Sequence, residues 1–131
     1  MKRSVMLTIA SLLSIVLMTI HLSDDIVRGF EPGGVKNVTG ILMLVVWLYG
    51  TTVLAERRSG YIIMLLGSIL GAGVPIVHMI GKGLVGGRVA NSSGMLLWVW
   101  TLLMLQVSAI FSIILAARGL WSFRWRPALR K

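Results

Sequence analysis

The stretch MLLWVWTLLMLQVSAIFSIILAA, residues 95–117, contains no Lys, Arg, Asp or Glu. At about 1.5 Å per helical residue it covers the roughly 30 Å hydrocarbon core of a bilayer. Lipid offers the backbone no hydrogen-bond partners, so a segment of this kind spans as a helix. Its Ile and Val content does not make it a strand, because the strict alternation over about ten residues that a membrane barrel needs is missing. Working back toward the amino terminus, three more uncharged apolar runs follow: Tyr61 to Ile80, Val38 to Ala55 and Val5 to Leu22. The expected fold is therefore an all-α integral membrane protein. It has four transmembrane helices, about 5–22, 38–55, 61–80 and 95–117, in one domain over residues 1–131, arranged as an up-down bundle.

Composition supports the same class. Of 131 residues 56% are hydrophobic and only 13% charged, about half the charged share of a soluble domain. There is no cysteine, which removes disulfides, thiolate metal sites and cysteine nucleophiles. The net charge of +9 would suggest nucleic acid if it formed one face of a globular domain, but the basic residues punctuate the apolar runs instead. Lys2, Arg3, Arg57, Arg58, Arg118, Arg124, Arg126, Arg130 and Lys131 fall on one side, nine in all, and Arg28, Lys36, Lys82 and Arg88 on the other. The excess marks the cytoplasmic side. Both termini are expected there, in a bacterial inner membrane. No small-residue cleavage motif follows the first run, which is read as an uncleaved first helix.

The connections suit short helix–helix links. "ERRSG" at 56–60 is a tight turn, Asn37 is placed as N-cap of the second helix, and "NSSG" at 91–94 offers caps for the fourth. Asn37 and Asn91 also start glycosylation sequons, but both lie close against the membrane, and capping is preferred. "GKGLVGGRV" at 81–89 lacks the spacing of a phosphate loop and reads as a flexible loop touching lipid phosphate. The basic aromatic tail, residues 118–131, sets Trp121 and Trp125 among Arg124 and Arg126, which is the composition of an anchor in anionic headgroups. Trp98 and Trp100 form the matching belt at the other end of the fourth helix. Nucleic acid is not an expected partner.

Chemistry is concentrated in "HLSDDIVRGFEPGG", residues 21–34, which holds three of the four acidic residues and one of the two histidines. If the first helix continues one turn past Leu22, Ser4, Thr8, Ser11, Ser14, Thr19, His21 and Asp25 share an arc of roughly 160°. His21 and Asp25 then stand one turn apart, close enough to hydrogen-bond or to share a cation. Asp24 points elsewhere, to face headgroups or pair with Arg28. On the third helix Gly67, Gly71, Val74 and His78 share one face, so the small residues make it a packing face and His78 looks into protein. Pro75 loosens the helix just before it.

Both histidines fall at similar depth. A pocket of His21, Asp25 and His78, with Glu31 as a further ligand from the loop, suits a divalent metal, a proton relay, or a headgroup or quinone-like ligand. The competing reading is a solvated helix end with no shared site. Gln106, near the middle of the fourth helix, is expected to hydrogen-bond between helices. No catalytic constellation stands out, so the leading expectation is a non-catalytic subunit or assembly partner of a membrane complex. A membrane enzyme or metal- or cofactor-binding protein is the second, and an oligomeric small transporter the third. Proton-coupled export of cations is disfavoured, because the first span holds no carboxylate before its end.

Overall fold

The computed structural model describes residues 3–80 and 93–124. The elements are α1 (Arg3–Val27), a short 3-10 turn (Gly34–Asn37), α2 (Val38–Thr52), α3 (Arg58–Ile80) and α4 (Met95–Arg124). All four helices are long and apolar enough to cross a membrane, α2 together with its preceding turn. Large apolar side chains cover the outside of the helices: Ile9, Leu13 and Val16 on α1, Leu42 and Val46 on α2, Leu66 and Leu70 on α3, and Leu103, Val107 and Ile114 on α4.

The helices outrun or fall short of the apolar segments where local chemistry decides. α1 continues through Ser23, Asp24 and Asp25 to Val27; the Ser23 and Thr19 hydroxyls bond to the carbonyls of Thr19 and Ile15 within the helix, and an Asp24–Arg28 pair at 2.7 Å ties the last turn. α2 stops at Thr52, three residues before the apolar run ends. α4 continues seven residues past Ala117 as helix. Asn37 does not cap α2 with its side chain; its amide donates to the Pro32 carbonyl at 3.1 Å instead, and the 3-10 turn delivers the chain into the helix. Asn91, the 81–89 loop, Trp125 and Arg126 lie outside the described residues.

α4 is the central element, packed along both α1 and α3, while α2 leans chiefly on α3. One core cluster joins Leu7, Tyr61, Met64, Leu115 and Ala116. Between the helices run buried hydroxyl pairs: Ser11 with Thr51 at 2.8 Å, Ser14 to Ser108 at 2.9 Å and Ser68 to Ser112 at 2.8 Å. Thr19 leaves the stripe expected of α1; it is exposed and bonded to its own helix.

The face of α3 carrying Gly67 and Gly71 is buried as expected, but its neighbour is a ring rather than a helix backbone. A Cβ at Gly67 would lie inside the Trp47 indole, and one at Gly71 would stand 3.1 Å from that ring's Cη2. Trp47 is 4% exposed and donates through Nε1 to Ser11 Oγ at 2.8 Å. The two glycines thus make a bed for an aromatic ring, which in turn pins α2 to α1. Pro75 is accommodated inside α3, which runs on to Ile80.

Candidate functional site

The end of the bundle where α1 and α3 finish and α4 begins gathers the residues singled out in the sequence. His21 and His78 place their ring centroids 4.9 Å apart. Their Nε2 atoms both approach one oxygen, Asp25 Oδ2, at 3.3 and 3.1 Å. His21 and Asp25 are almost fully buried, at 1% and 2% exposure. Glu31 is exposed, but lines the same cavity as these three. Asp24 turns away to Arg28, whose guanidinium also reaches the Ser93 carbonyl at 3.0 Å and ties the end of α1 to the start of α4.

The hydrogen bonds on the far side of each ring set the tautomer of its neutral form. His78 Nδ1 sits 2.8 Å from the Val74 carbonyl. A carbonyl only accepts, so Nδ1 is the N–H and Nε2 of a neutral ring is a bare lone pair. The Thr101 hydroxyl donates to the Trp98 carbonyl at 3.0 Å, so at 3.3 Å from His21 Nδ1 it accepts. His21 Nε2 is therefore also a lone pair, buried and without a hydrogen-bond partner among the described residues. With both rings neutral, two imidazole lone pairs face one carboxylate oxygen; with His78 protonated, its Nε2–H donates to Asp25 Oδ2 at 3.1 Å. The other carboxylate oxygen, Oδ1, is held by Trp98 Nε1–H at 2.6 Å.

Trp98 departs from the expected interfacial belt. It is 1% exposed and packs against both histidines, 5.5 Å from His21 and 5.4 Å from His78 by ring centroids. Trp100, two residues on, points the opposite way and is 55% exposed; Trp121 is exposed as well. The missed signal was spacing: Trp98, Thr101, Leu105, Ser108 and Ser112 recur at three and four residues, which puts Trp98 on the face of α4 that holds the hydroxyls. Gln106 also differs from expectation. Its Oε1 is buried with no hydrogen-bond partner among the described residues; between α1 and α4 the Ser14–Ser108 pair makes such a bond.

The histidines and Asp25 open onto a cavity of about 260 Å³. Its polar lining residues are His21, Asp25, Glu31, Asn37 and His78. Its remaining walls are largely apolar, with Met18, Leu44, Leu70 and Val74 among them, and it reaches as far as Trp47 and Gly67.

Comparison of the chain with protein-family models, with curated proteins and with solved structures yields no match.

Proposed function

We propose that the chain is a four-helix protein of a bacterial inner membrane that holds one divalent transition-metal ion on His21 Nε2, His78 Nε2 and Asp25 Oδ2. The observation that carries this reading is the convergence of three lone-pair donors with both imidazole protons committed elsewhere. A single proton could relieve one of the two nitrogen–oxygen contacts and leave the other. A proton on each ring would set two cations side by side. One divalent ion relieves both contacts at once.

The two nitrogen–oxygen distances suit this. Bonds of about 2.0–2.2 Å in a tetrahedral site separate neighbouring ligand atoms by roughly 3.3 Å, against 3.1 and 3.3 Å for the two nitrogen–oxygen distances here. One ligand atom from each of the three residues falls within 4.8 Å of the others. Nitrogen donors favour zinc and its first-row neighbours over magnesium or calcium. The Val74 carbonyl and the Thr101 hydroxyl supply the outer hydrogen bonds that orient metal-binding histidines. No comparable geometry supports a purely structural subunit or a transporter.

Metal content tests the reading. Protein purified in lipid nanodiscs and stripped with a chelator should take up about one Zn²⁺ or Co²⁺ per chain, saturably, with Co²⁺ developing the visible bands of a low-coordinate nitrogen–oxygen site. Uptake below about a tenth of an ion per chain would overturn it.

In the same reading the helices run up and down across the bilayer, with both termini cytoplasmic and the metal site facing outward. Supporting the up-down order, contacts between neighbours progress in opposite directions: Asp25 with Trp98, Ser14 with Ser108 and Leu7 with Leu115 on α1 and α4. Supporting the orientation are the nine basic residues against four. Cysteines placed at Ser59 or Ser122 should resist a membrane-impermeant thiol reagent in intact cells, while one at Ser92 should label. The reverse pattern would turn the site to the cytoplasmic side.

A further inference from the structure

We infer that Trp98 decides which divalent ion the site accepts. Its indole N–H holds one oxygen of Asp25, so the carboxylate meets the metal through the other oxygen alone. A small four-coordinate ion of the zinc type is thereby favoured over ions that take more oxygens. This role rests on the metal reading above.

Trp98 stands in the first turn of α4, with its backbone N–H bonded to the Gly94 carbonyl at 3.1 Å. Its ring packs with Leu102, and Phe30, Val74 and Val99 close around the pair. Both histidine rings lie within 5.5 Å of it by centroid. At 1% exposure the indole is enclosed and has no room to swing aside. Its N–H donates to Asp25 Oδ1 at 2.6 Å, a short bond of the kind a charged acceptor makes. The same residue reaches a second ligand through its backbone. Its carbonyl takes the Thr101 hydroxyl proton at 3.0 Å, which leaves the Thr101 oxygen as the acceptor for His21 Nδ1–H.

Both histidine contacts with the carboxylate end on Oδ2, at 3.1 and 3.3 Å. An ion there receives one oxygen and two nitrogens, and with one exogenous ligand it is four-coordinate, the geometry zinc prefers. Binding through both carboxylate oxygens would require them to be about equally distant from the ion. Asp25 would have to turn about its Cβ–Cγ bond, and Oδ1 would leave the indole and strand a buried donor. The Thr101 oxygen is no substitute, because it lies on the Nδ1 side of His21, away from Nε2. Calcium takes about six to eight oxygens, and magnesium and manganese favour octahedral oxygen sets. Each is short of ligands where the carboxylate offers a single oxygen.

The test uses the full chain in nanodiscs with two replacements at position 98. Trp98→Phe keeps an aromatic ring and removes the donor. 3-Benzothienylalanine keeps both rings and puts sulfur in place of the N–H, which preserves the packing should the smaller ring unsettle it. Zn²⁺ and Mn²⁺ affinities are measured by competition with a metal-responsive dye, and the visible Co²⁺ bands report coordination number. Freed from the indole, the carboxylate can turn both oxygens to the ion and make it five-coordinate. In both variants Zn²⁺ should weaken by at least about 10-fold, as losing an outer hydrogen bond does, while Mn²⁺ should weaken by less than about 2-fold or tighten. The ratio of Zn²⁺ to Mn²⁺ affinity should thus fall at least about 5-fold, and the Co²⁺ bands should lose about half their intensity or more. Trp100→Phe, at a ring 55% exposed, should leave the ratio within about 2-fold.

Equal weakening of Zn²⁺ and Mn²⁺ would reduce Trp98 to a packing residue and overturn the inference, as would Co²⁺ bands of undiminished intensity. A benzothienyl variant that matches the wild type in both ratio and bands would overturn the role of the N–H. Should the wild type bind neither Zn²⁺ nor Co²⁺, the metal reading itself falls and this role with it.

Discussion

Asp25→Asn should abolish metal binding and leave the fold as stable as the wild type or more so. The carboxylate sits 2% exposed, receives the Trp98 indole N–H on Oδ1 at 2.6 Å and faces the Nε2 atoms of both imidazoles on Oδ2. An asparagine keeps the acceptor for Trp98 and turns an NH2 group toward the histidines, donating one hydrogen to each Nε2. The geometry that calls for a cation is then satisfied by neutral hydrogen bonds, and a buried charge disappears. Loss of a direct ligand should weaken Zn²⁺ by more than about 100-fold, beyond the 10- to 100-fold typical of losing an outer hydrogen bond. Asp25→Ala removes the metal as well, but leaves the buried indole N–H unpaired, at a cost of about 1–3 kcal/mol. Zn²⁺ titration and thermal unfolding in nanodiscs, both on metal-free starting protein, separate the two. If Asp25→Asn binds Zn²⁺ as the wild type does, or destabilises as much as Asp25→Ala, the converging lone pairs have been misread.

The second large effect is expected at Gly67. Even Gly67→Ala places its Cβ within the Trp47 ring, and the ring cannot retreat without breaking its 2.8 Å bond to Ser11. Overpacking costs about 1–3 kcal/mol and the lost hydrogen bond about 0.5–1.5 more. We expect a loss of about 2–4 kcal/mol for Gly67→Ala, and a smaller one for Gly71→Ala, where the ring is 3.1 Å from the added carbon. Gly73→Ala is the control, with nothing within 4 Å of its added methyl; it should be neutral or stabilising by up to about 1 kcal/mol through helix propensity. Reversible unfolding in detergent reads all three. Equal stability of Gly67→Ala and Gly73→Ala would mean that Trp47 does not lie on this face.

Much of the fold was legible because charge and apolarity are cleanly separated along the chain. Four uncharged runs mark four helices. They do not mark helix ends, since an apolar run records the length that must be shielded from water, whereas a helix goes on as long as its backbone bonds are met. That is why α1 passes Asp25 and α4 passes Arg118. The His21–Asp25–His78 juxtaposition was legible from two spacings, one turn on α1 and equal depth on α3. Trp98 was not, because in a helix of nearly uniform apolarity a tryptophan near one end fits a lipid belt as well as a core. The hydroxyl spacing on α4 separates Trp98 from Trp100. Trp47 was hidden for a related reason. α2 is apolar on all sides, and no polar face shows which side meets protein.

The order in which the helices emerge during synthesis gives the hydroxyl pairs a further meaning. Among lipid chains the hydrophobic effect does not tell one apolar helix from another, and close packing with hydrogen bonds must do so. α1, made first, presents Ser14 and His21, whose partners Ser108 and Thr101 belong to the last helix. Ser68 of α3 likewise waits for Ser112. The first three helices therefore hold both histidines and Asp25, yet lack the hydroxyl that meets His21 and the indole that meets Asp25. Arrival of α4 sets helix register and ligand geometry in one event, because a slip of one turn, about 5.4 Å, would break the Ser14, Ser68 and His21 pairings together. An incompletely assembled chain thereby lacks the contacts of Thr101 and Trp98 with the His21–Asp25–His78 cluster.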